Sequence, residues 1–342
     1  MPDGDPSTSS SMSVDPARQA THSGAELSAA VSPAARLGPE TGAEAGIPER
    51  AEGRGRRAWG IFVRNRTAMA GLIGLVLIVL AALFGPLVYT QSATEADIFN
   101  LVNNAWPSAA HPLGTDKDGI DILARLLVGM RVSLGVALFA EVINVALGVP
   151  IGLAAGYYGG AIDFVLSRVA DVLFAFPGLL LAILVAGVFG PGLGDAAGGL
   201  ARLALVVASL SLVGWPLMAR YVRAEALSLR ERNFVEAARA IGASNRRILG
   251  AHIAPNVVGL ALTAATLDMA GVVVAEAVLS LLGLGVQPPH ASIGLMISNA
   301  IGVLNLNWTE SLFPGLALTL LVLCFSFVGD GLRDALDPRT LR

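Results

Sequence analysis

Six apolar runs recur along this chain, each about as long as a lipid bilayer is thick, and they leave few architectures open. They occupy residues 68–89, 132–157, 165–189, 203–221, 257–284 and 312–327. A helix needs roughly 20 apolar residues to cross about 30 Å of hydrocarbon. Lipid cannot satisfy free backbone N–H and C=O groups, and the runs lack the alternation of barrel strands, so each is expected to be a helix. With 54% hydrophobic and 14% charged residues, the chain cannot be an ordinary soluble domain. The fold class is all-α and polytopic, with six transmembrane helices.

The formal net charge of −3 says little about partners, because the charges are segregated by loop. Positive residues are retained on the cytoplasmic side of a membrane. Arg50, Arg54, Arg56, Arg57, Arg64 and Arg66 precede the first run, Arg168 follows the second, seven arginines from Arg220 to Arg247 follow the fourth, and Arg333, Arg339 and Arg342 follow the sixth. The opposite side carries only Lys117, Arg125, Arg131 and Arg202, among acids such as Glu95, Asp97, Asp116, Asp118, Asp121, Asp195 and Glu310. Both termini are therefore expected in the cytoplasm. Residues 1–57 lack hydrophobic periodicity and read as a disordered cytoplasmic tail, with the transmembrane domain at 58–342. The first apolar run is too long, and lies too far along the chain, for a signal peptide.

Two external segments are expected, at 90–131 and 285–311. The first holds a turn, His111-Pro112-Leu113-Gly114-Thr115-Asp116, ahead of an interfacial helix at 120–127. The second holds Pro288-Pro289 and a short helix around Ile293, Met296, Ile297 and Ile301. Cys324 is the lone cysteine, which rules out an intrachain disulfide, and His22, His111, His252 and His290 lie too far apart in sequence to suggest a metal site.

The cytoplasmic segment 222–256 is more than a basic loop. Glu236, Ala237, Ala238 and Arg239 favour a helix over 234–241, and Gly242 supplies a residue free to take positive φ. Ser244 or Asn245 would then cap a second helix over 246–253, stopped by Pro255. Two short helices at an angle make a compact knob. The small Ala237 and Ala238 let a partner approach, and Arg239, Arg246 and Arg247 supply charge.

Glu236-Ala237-Ala238, Gly242 and Pro255 resemble the cytoplasmic signature of the transmembrane subunits of bacterial ABC importers, with Ala254 where the family usually has Leu; the resemblance implies an ATPase-coupling loop that includes Arg239, Ala243, Arg246 and Arg247 as well. His111 to Asp116, Gly156-Tyr157-Tyr158-Gly159-Gly160, Phe176-Pro177, Leu282 to Pro289 and Gly329-Asp330-Gly331-Leu332-Arg333-Asp334 look like the dipeptide, oligopeptide and nickel group, second-permease type. Ser292-Ile293-Gly294 departs from that group, which often has Trp in the middle. The resemblance covers about residues 60–340. It implies a type I ABC importer permease fold and a multi-pass protein of the bacterial plasma (inner) membrane. The implied function is ATP-driven import of di- or oligopeptides by alternating access. Its partners would be a second permease subunit, two ABC ATPase subunits that hold ATP and Mg, an extracellular substrate-binding protein and the bilayer. No nucleic acid is expected.

Lys117 is the chain's only lysine and is followed by Asp118, so no Walker A sequence exists here and the chain is expected not to be an enzyme. No cofactor or metal is expected to bind to it. Ionisable groups within apolar spans usually face a bundle interior or water. Glu141, Asn144, Asp268 and Glu276 are candidates for the translocation path, with interhelical packing the competing role. Asp171 and Asp330 are expected to pair with arginines such as Arg168 and Arg333. Gly152 and Gly156 suggest close helix packing, and Pro177 and Pro216 suggest kinks. The rival readings are a nickel-chelate importer permease and an ion-coupled secondary transporter using Glu141, Asp268 and Glu276.

Overall fold

One residue, Asn65, separates helix α1 (Ala51–Arg64) from helix α2 (Arg66–Val88) and sets the boundary between them. Its Oδ1 accepts from the Thr67 N–H at 3.1 Å and the Ala68 N–H at 3.3 Å, capping α2. Ala58 and Phe62 of α1 then fold back onto Ala68 and Ala335. Helix α1 thus begins inside the stretch expected to be disordered, and residues 51–57 belong to the folded part of the chain. Their helix is tied down by this apolar contact, which the polar composition of the segment does not advertise.

The computed structural model describes residues 51–95, 103–193, 198–288 and 290–336. All of them fall within one unit, Arg50–Arg342. The expected tail up to residue 50, together with Asp97, Asp195, Pro289, Arg339 and Arg342, lies outside the described residues.

After α2 come α3 (Ile122–Tyr158), α4 (Gly160–Phe174), α5 (Gly178–Phe189), α6 (Gly198–Arg230) and the short α7 (Asn233–Ala240) and α8 (Asn245–Arg247). A π-helical turn (Ile248–Ile253) leads into α9 (Ala254–Leu281), followed by α10 (Ile293–Ile301) and α11 (Thr309–Leu336). Among the described residues, five helical stretches are long and apolar enough to cross a membrane, or six if α4 and α5 form one broken span. Much of α2 faces outward, with Leu77, Phe84 and Leu87 exposed, as suits a surface covered by lipid or another helix.

The structure bears out the kink expected at Pro177 and changes one of the expected helices. The run 165–189 is not a straight helix, because α4 and α5 meet at 79°. Pro177 lacks an N–H and restricts Phe176 ahead of it, which breaks the ladder there. Pro216 lies within α6, whose helix runs from Gly198 to Arg230 without a break. The segment 120–127 is not a separate interfacial helix; from Ile122 onward it forms the first turns of α3. Asp121 caps that helix by accepting from the Ala124 N–H at 2.8 Å.

The same Asp121 gathers the nearby loop. Its Oδ2 accepts from the Tyr89 hydroxyl at 2.8 Å and lies 2.9 Å from His111 Nδ1. Burial, reinforced by this carboxylate, pushes the Tyr89 phenol up to about 12. Asp116 accepts from the Asp118 and Ile120 N–H groups and pairs with Arg125, so the expected turn is a buried, hydrogen-bonded structure.

The longest helix contact joins α3 to α6. A β-carbon on Gly152 would stand 2.5 Å from the Ala219 carbonyl oxygen, and one on Gly156 would stand 2.7 Å from that of Arg223. Gly148 sits equally close against Met218 and Trp215. Residues at i, i+4 and i+8 share a helix face, so these glycines form one seam along which the backbones nearly touch. Gly152→Leu is expected to destabilise the fold by about 2 kcal/mol or more through overpacking. Gly135→Ala, where an added carbon meets nothing within 4 Å, is the control. Thermal unfolding of both variants in detergent checks this, with only the first losing its native midpoint.

Candidate functional site

The segment joining α6 to α9 is built around a buried apolar strip. Val235 and Ala238 of α7 pack with Ile248, Ile253 and Val257, and beneath them lie Tyr157, Val222, Ala226 and Leu229 from α3 and α6. Helix α7 ends in a main-chain turn. The Gly242 N–H donates to the Arg239 carbonyl at 2.9 Å and the Ala243 N–H to the Ala238 carbonyl at 3.0 Å. These are the two bonds of a Schellman motif, with Gly242 at φ +82°. The glycine is required because a left-handed residue with a β-carbon is strained.

The expected second helix exists only as α8 and the π turn that follows it, and Pro255 does not stop it. Pro255 instead lies in the first turn of α9, where a missing N–H is tolerated. The wider turn ahead of it is closed by Ala254, whose N–H reaches the Leu249 carbonyl. Asn256 Nδ2 donates to the His252 carbonyl at 2.7 Å. The stretch from Asn245 to Leu281 is thereby continuous and helical.

Glu236, Ala237, Arg239, Gly242, Arg246, Arg247 and Pro255 are exposed on this knob, Ala243 is half-buried and Ala238 is buried. Ala238 therefore anchors the knob rather than offering a contact. Two further residues come into view. Ile241 is 86% exposed and Phe234 41% exposed, and with Ala237 between them they form an apolar stripe at i, i+3 and i+7. The signal was present in the sequence, since Val235 and Ala238 already fill the inward face and leave 234 and 241 outside. Beside the stripe, Tyr157, Tyr158, Arg230, Glu236, Arg239 and Asn245 line an open cleft of about 480 Å³. The Tyr157 hydroxyl donates to Asn245 Oδ1 at 2.8 Å, and the Arg239 guanidinium lies 5.6 Å from the Tyr157 ring centre.

Three of the four intramembrane polar candidates come together. Asn144 Nδ2 donates to Glu141 Oε2 at 3.1 Å and to Asp268 Oδ2 at 3.4 Å, linking α3 to α9. The amide lies flat on α6, where a β-carbon at Gly214 would collide with it. Glu276 lies apart, about 12 Å further along α9 at 1.5 Å per residue. It is fully buried, accepting from Ser133 at 2.8 Å and Ser280 at 2.7 Å. The Ser133 hydroxyl also receives the Ile293 N–H, and Ser280 receives the Ser292 hydroxyl, so this network staples α10 to α3 and α9. Asp171 lies 3.2 Å from Arg220, closer than the 3.8 Å to Arg168.

Residues 148–342, which contain the knob and α9, match the family described as the binding-protein-dependent transport system inner membrane component. This chain belongs to that family. Residues 53–107 match a second family, the N-terminal TM domain of oligopeptide transport permease C, which accounts for the folded α1. The chain is 39% identical over 285 residues to the dipeptide transport system permease protein DppC of Alkalihalophilus pseudofirmus, covering 83% of this chain and 90% of the relative. It is 36% identical over 284 residues to the glutathione transport system permease protein GsiD of Pectobacterium atrosepticum, covering 83% and 91% respectively. Among solved structures, a chain of the inward-facing MetNI methionine ABC transporter aligns with 63% of this chain and 96% of its own, at 21% identity and a TM-score of 0.49. By its family and these relatives the chain is a multi-pass, inner-membrane permease, and its described residues are built on helices.

Two measurements check how this permease is assembled. Ile241→Asp is expected to change stability by no more than about 0.5 kcal/mol, as for exposed sites generally. Val235→Asp, which buries an unpaired charge, should cost about 3–5 kcal/mol. Thermal melts of the purified variants compare them. Glu276→Ala should lower the melting midpoint more than Glu276→Gln, because the alanine leaves the Ser133 and Ser280 hydroxyls without their acceptor.

Proposed function

We propose that this permease is the membrane subunit of an ATP-driven importer of short peptides, and that its knob is the contact for an ATP-hydrolysing partner. The observation that carries the reading is the exposed stripe of Phe234, Ala237 and Ile241, held rigid on a buried core and ringed by Glu236, Arg239, Arg246 and Arg247. Burying a side chain such as Ile241 in a partner's cleft contributes about 1.5–3 kcal/mol. The arginines would add complementarity to an acidic rim. The names of the dipeptide and glutathione relatives favour peptides over nickel chelates. Membership of a binding-protein-dependent family favours ATP coupling over an ion gradient.

In this reading the knob and both termini face the cytoplasm, in keeping with the arginine distribution. Two ATPase subunits hold ATP and Mg, a second permease subunit completes the pore, and an extracellular binding protein delivers the peptide. Closure of the ATPases moves the knob. Because the helix from Asn245 to Leu281 is continuous, that movement passes directly to the middle of the bundle, where half-buried Asp268 would border the translocation path with Glu141 and Asn144 buried behind it. Glu276 serves as the packing anchor of the far end.

Purification of the permease from its native membrane in mild detergent tests the coupling. The unaltered chain is expected to retain ATPase subunits, whereas a Glu236→Arg, Ile241→Asp variant that elutes as the same folded species should lose them. A folded chain that brings down no ATPase in either form would overturn the assignment of the knob.

A further inference from the structure

We propose that Glu141, Asn144 and Asp268 form an ammonium-binding subsite, which takes the free α-amino group of the peptide as it passes. The inference rests on the peptide-importer reading above. It starts from two orphaned atoms. Glu141 Oε1 and Asn144 Oδ1 are buried and have no hydrogen-bond partner, on side chains that are 4% and 0% exposed. A buried acceptor left unpaired is costly, and native structures keep few of them.

The amide cannot repair this itself. Its two N–H donors are already committed, one to Glu141 and one to Asp268. Gly214 fixes its position, because the amide rests directly on the α6 backbone. Both carboxyls sit within reach of a single nitrogen, and like charges that close repel unless a proton or a cation lies between them. A guest that brings donors and positive charge but no acceptor would answer both the unpaired oxygens and the carboxyl pair, where a shared proton would answer only the pair.

A peptide α-ammonium has that character, with three N–H donors and no acceptor. The acceptors it would take are Glu141 Oε1, Asn144 Oδ1 and the Asp268 carboxylate. The peptide's carboxylate end is excluded by the same charges. Asp268 is only half-buried, so the group has one open edge, while Glu141 and Asn144 form its closed back. Asp268 also lies about 20 Å from both Ala254 and Leu281 along α9, at 1.5 Å per residue, which places the group at mid-span. An α-ammonium is common to peptides of any side chain, so a handle of this kind would serve a carrier of varied sequences.

The test uses the complete transporter, reconstituted in liposomes with its ATPases, second permease and binding protein. Uptake of a dipeptide is compared with that of its N-acetyl derivative, each at a concentration shown by equilibrium dialysis to fill the binding protein. The intact transporter is expected to favour the free amine. Glu141→Gln, Asp268→Asn, which preserves side-chain shape, should reduce that preference about tenfold, the value of one charge-assisted hydrogen bond. Gly214→Ala, which displaces the amide and leaves both charges in place, should reduce it in the same direction. An unchanged preference in both variants overturns the subsite. So does uptake that collapses when the proton gradient is dissipated in the intact transporter but not in the Glu141→Gln, Asp268→Asn variant, which would identify a shared proton as the occupant. Failure of the intact transporter to take up any peptide with ATP present would instead overturn the peptide reading on which the subsite depends.

Discussion

The close approach of α3 and α6 along Gly148, Gly152 and Gly156 is the contact on which the other features rest. Lipid offers no hydrophobic drive to bring two apolar helices together, so they must gain from dispersion contacts at short range, and only glycine allows backbones so near. The seam fixes both of the proposed sites. At its end, Tyr157, Val222 and Ala226 form the floor on which Val235 and Ala238 sit. Just before its first glycine, Asn144 is pressed flat against Gly214, a fourth small residue on the facing helix.

Helix α9 runs across this frame with a different attachment at each end. Near the knob it is held by apolar packing of Ile248, Ile253 and Val257. Toward the far end it is held by the hydrogen bond from Ser133 of α3 to Glu276 and by that from the Ser292 hydroxyl to Ser280. Apolar packing is non-directional and tolerates small displacements, while a buried carboxylate with both oxygens bonded does not. The helix thus meets its neighbours through apolar surface where the knob joins it and through directional bonds where α10 is fastened.

Much of this was legible in the sequence. The apolar runs marked the helices because lipid makes their length and composition obligatory, and Gly242 followed from the need for positive φ. Gly152 and Gly156 were recognisable as packing residues from their spacing alone. Other features depended on what each residue meets in space. Pro177 breaks a helix and Pro216 does not, although both stand in apolar runs; α6 has α3 alongside it, while the chain at Phe176 has less to hold it straight. Helix α1 is packed through Ala58 and Phe62 against Ala335, more than 270 residues away. Glu276 and Asp268, two acids on one helix, took separate environments only because Ser133 and Ser280 converge on the first and Asn144 on the second. Phe234 and Ile241 were passed over because the acids and arginines around them draw attention first.

The turn at Gly242 has a further implication. Its two hydrogen bonds are made by main chain alone, and the only identity it demands is the glycine itself. The side chains on the outside of α7 therefore play no part in holding the turn. Shape and address are encoded by different atoms, so under the proposed coupling related permeases could exchange the side chains that meet an ATPase while the fitting that carries them keeps one standard form.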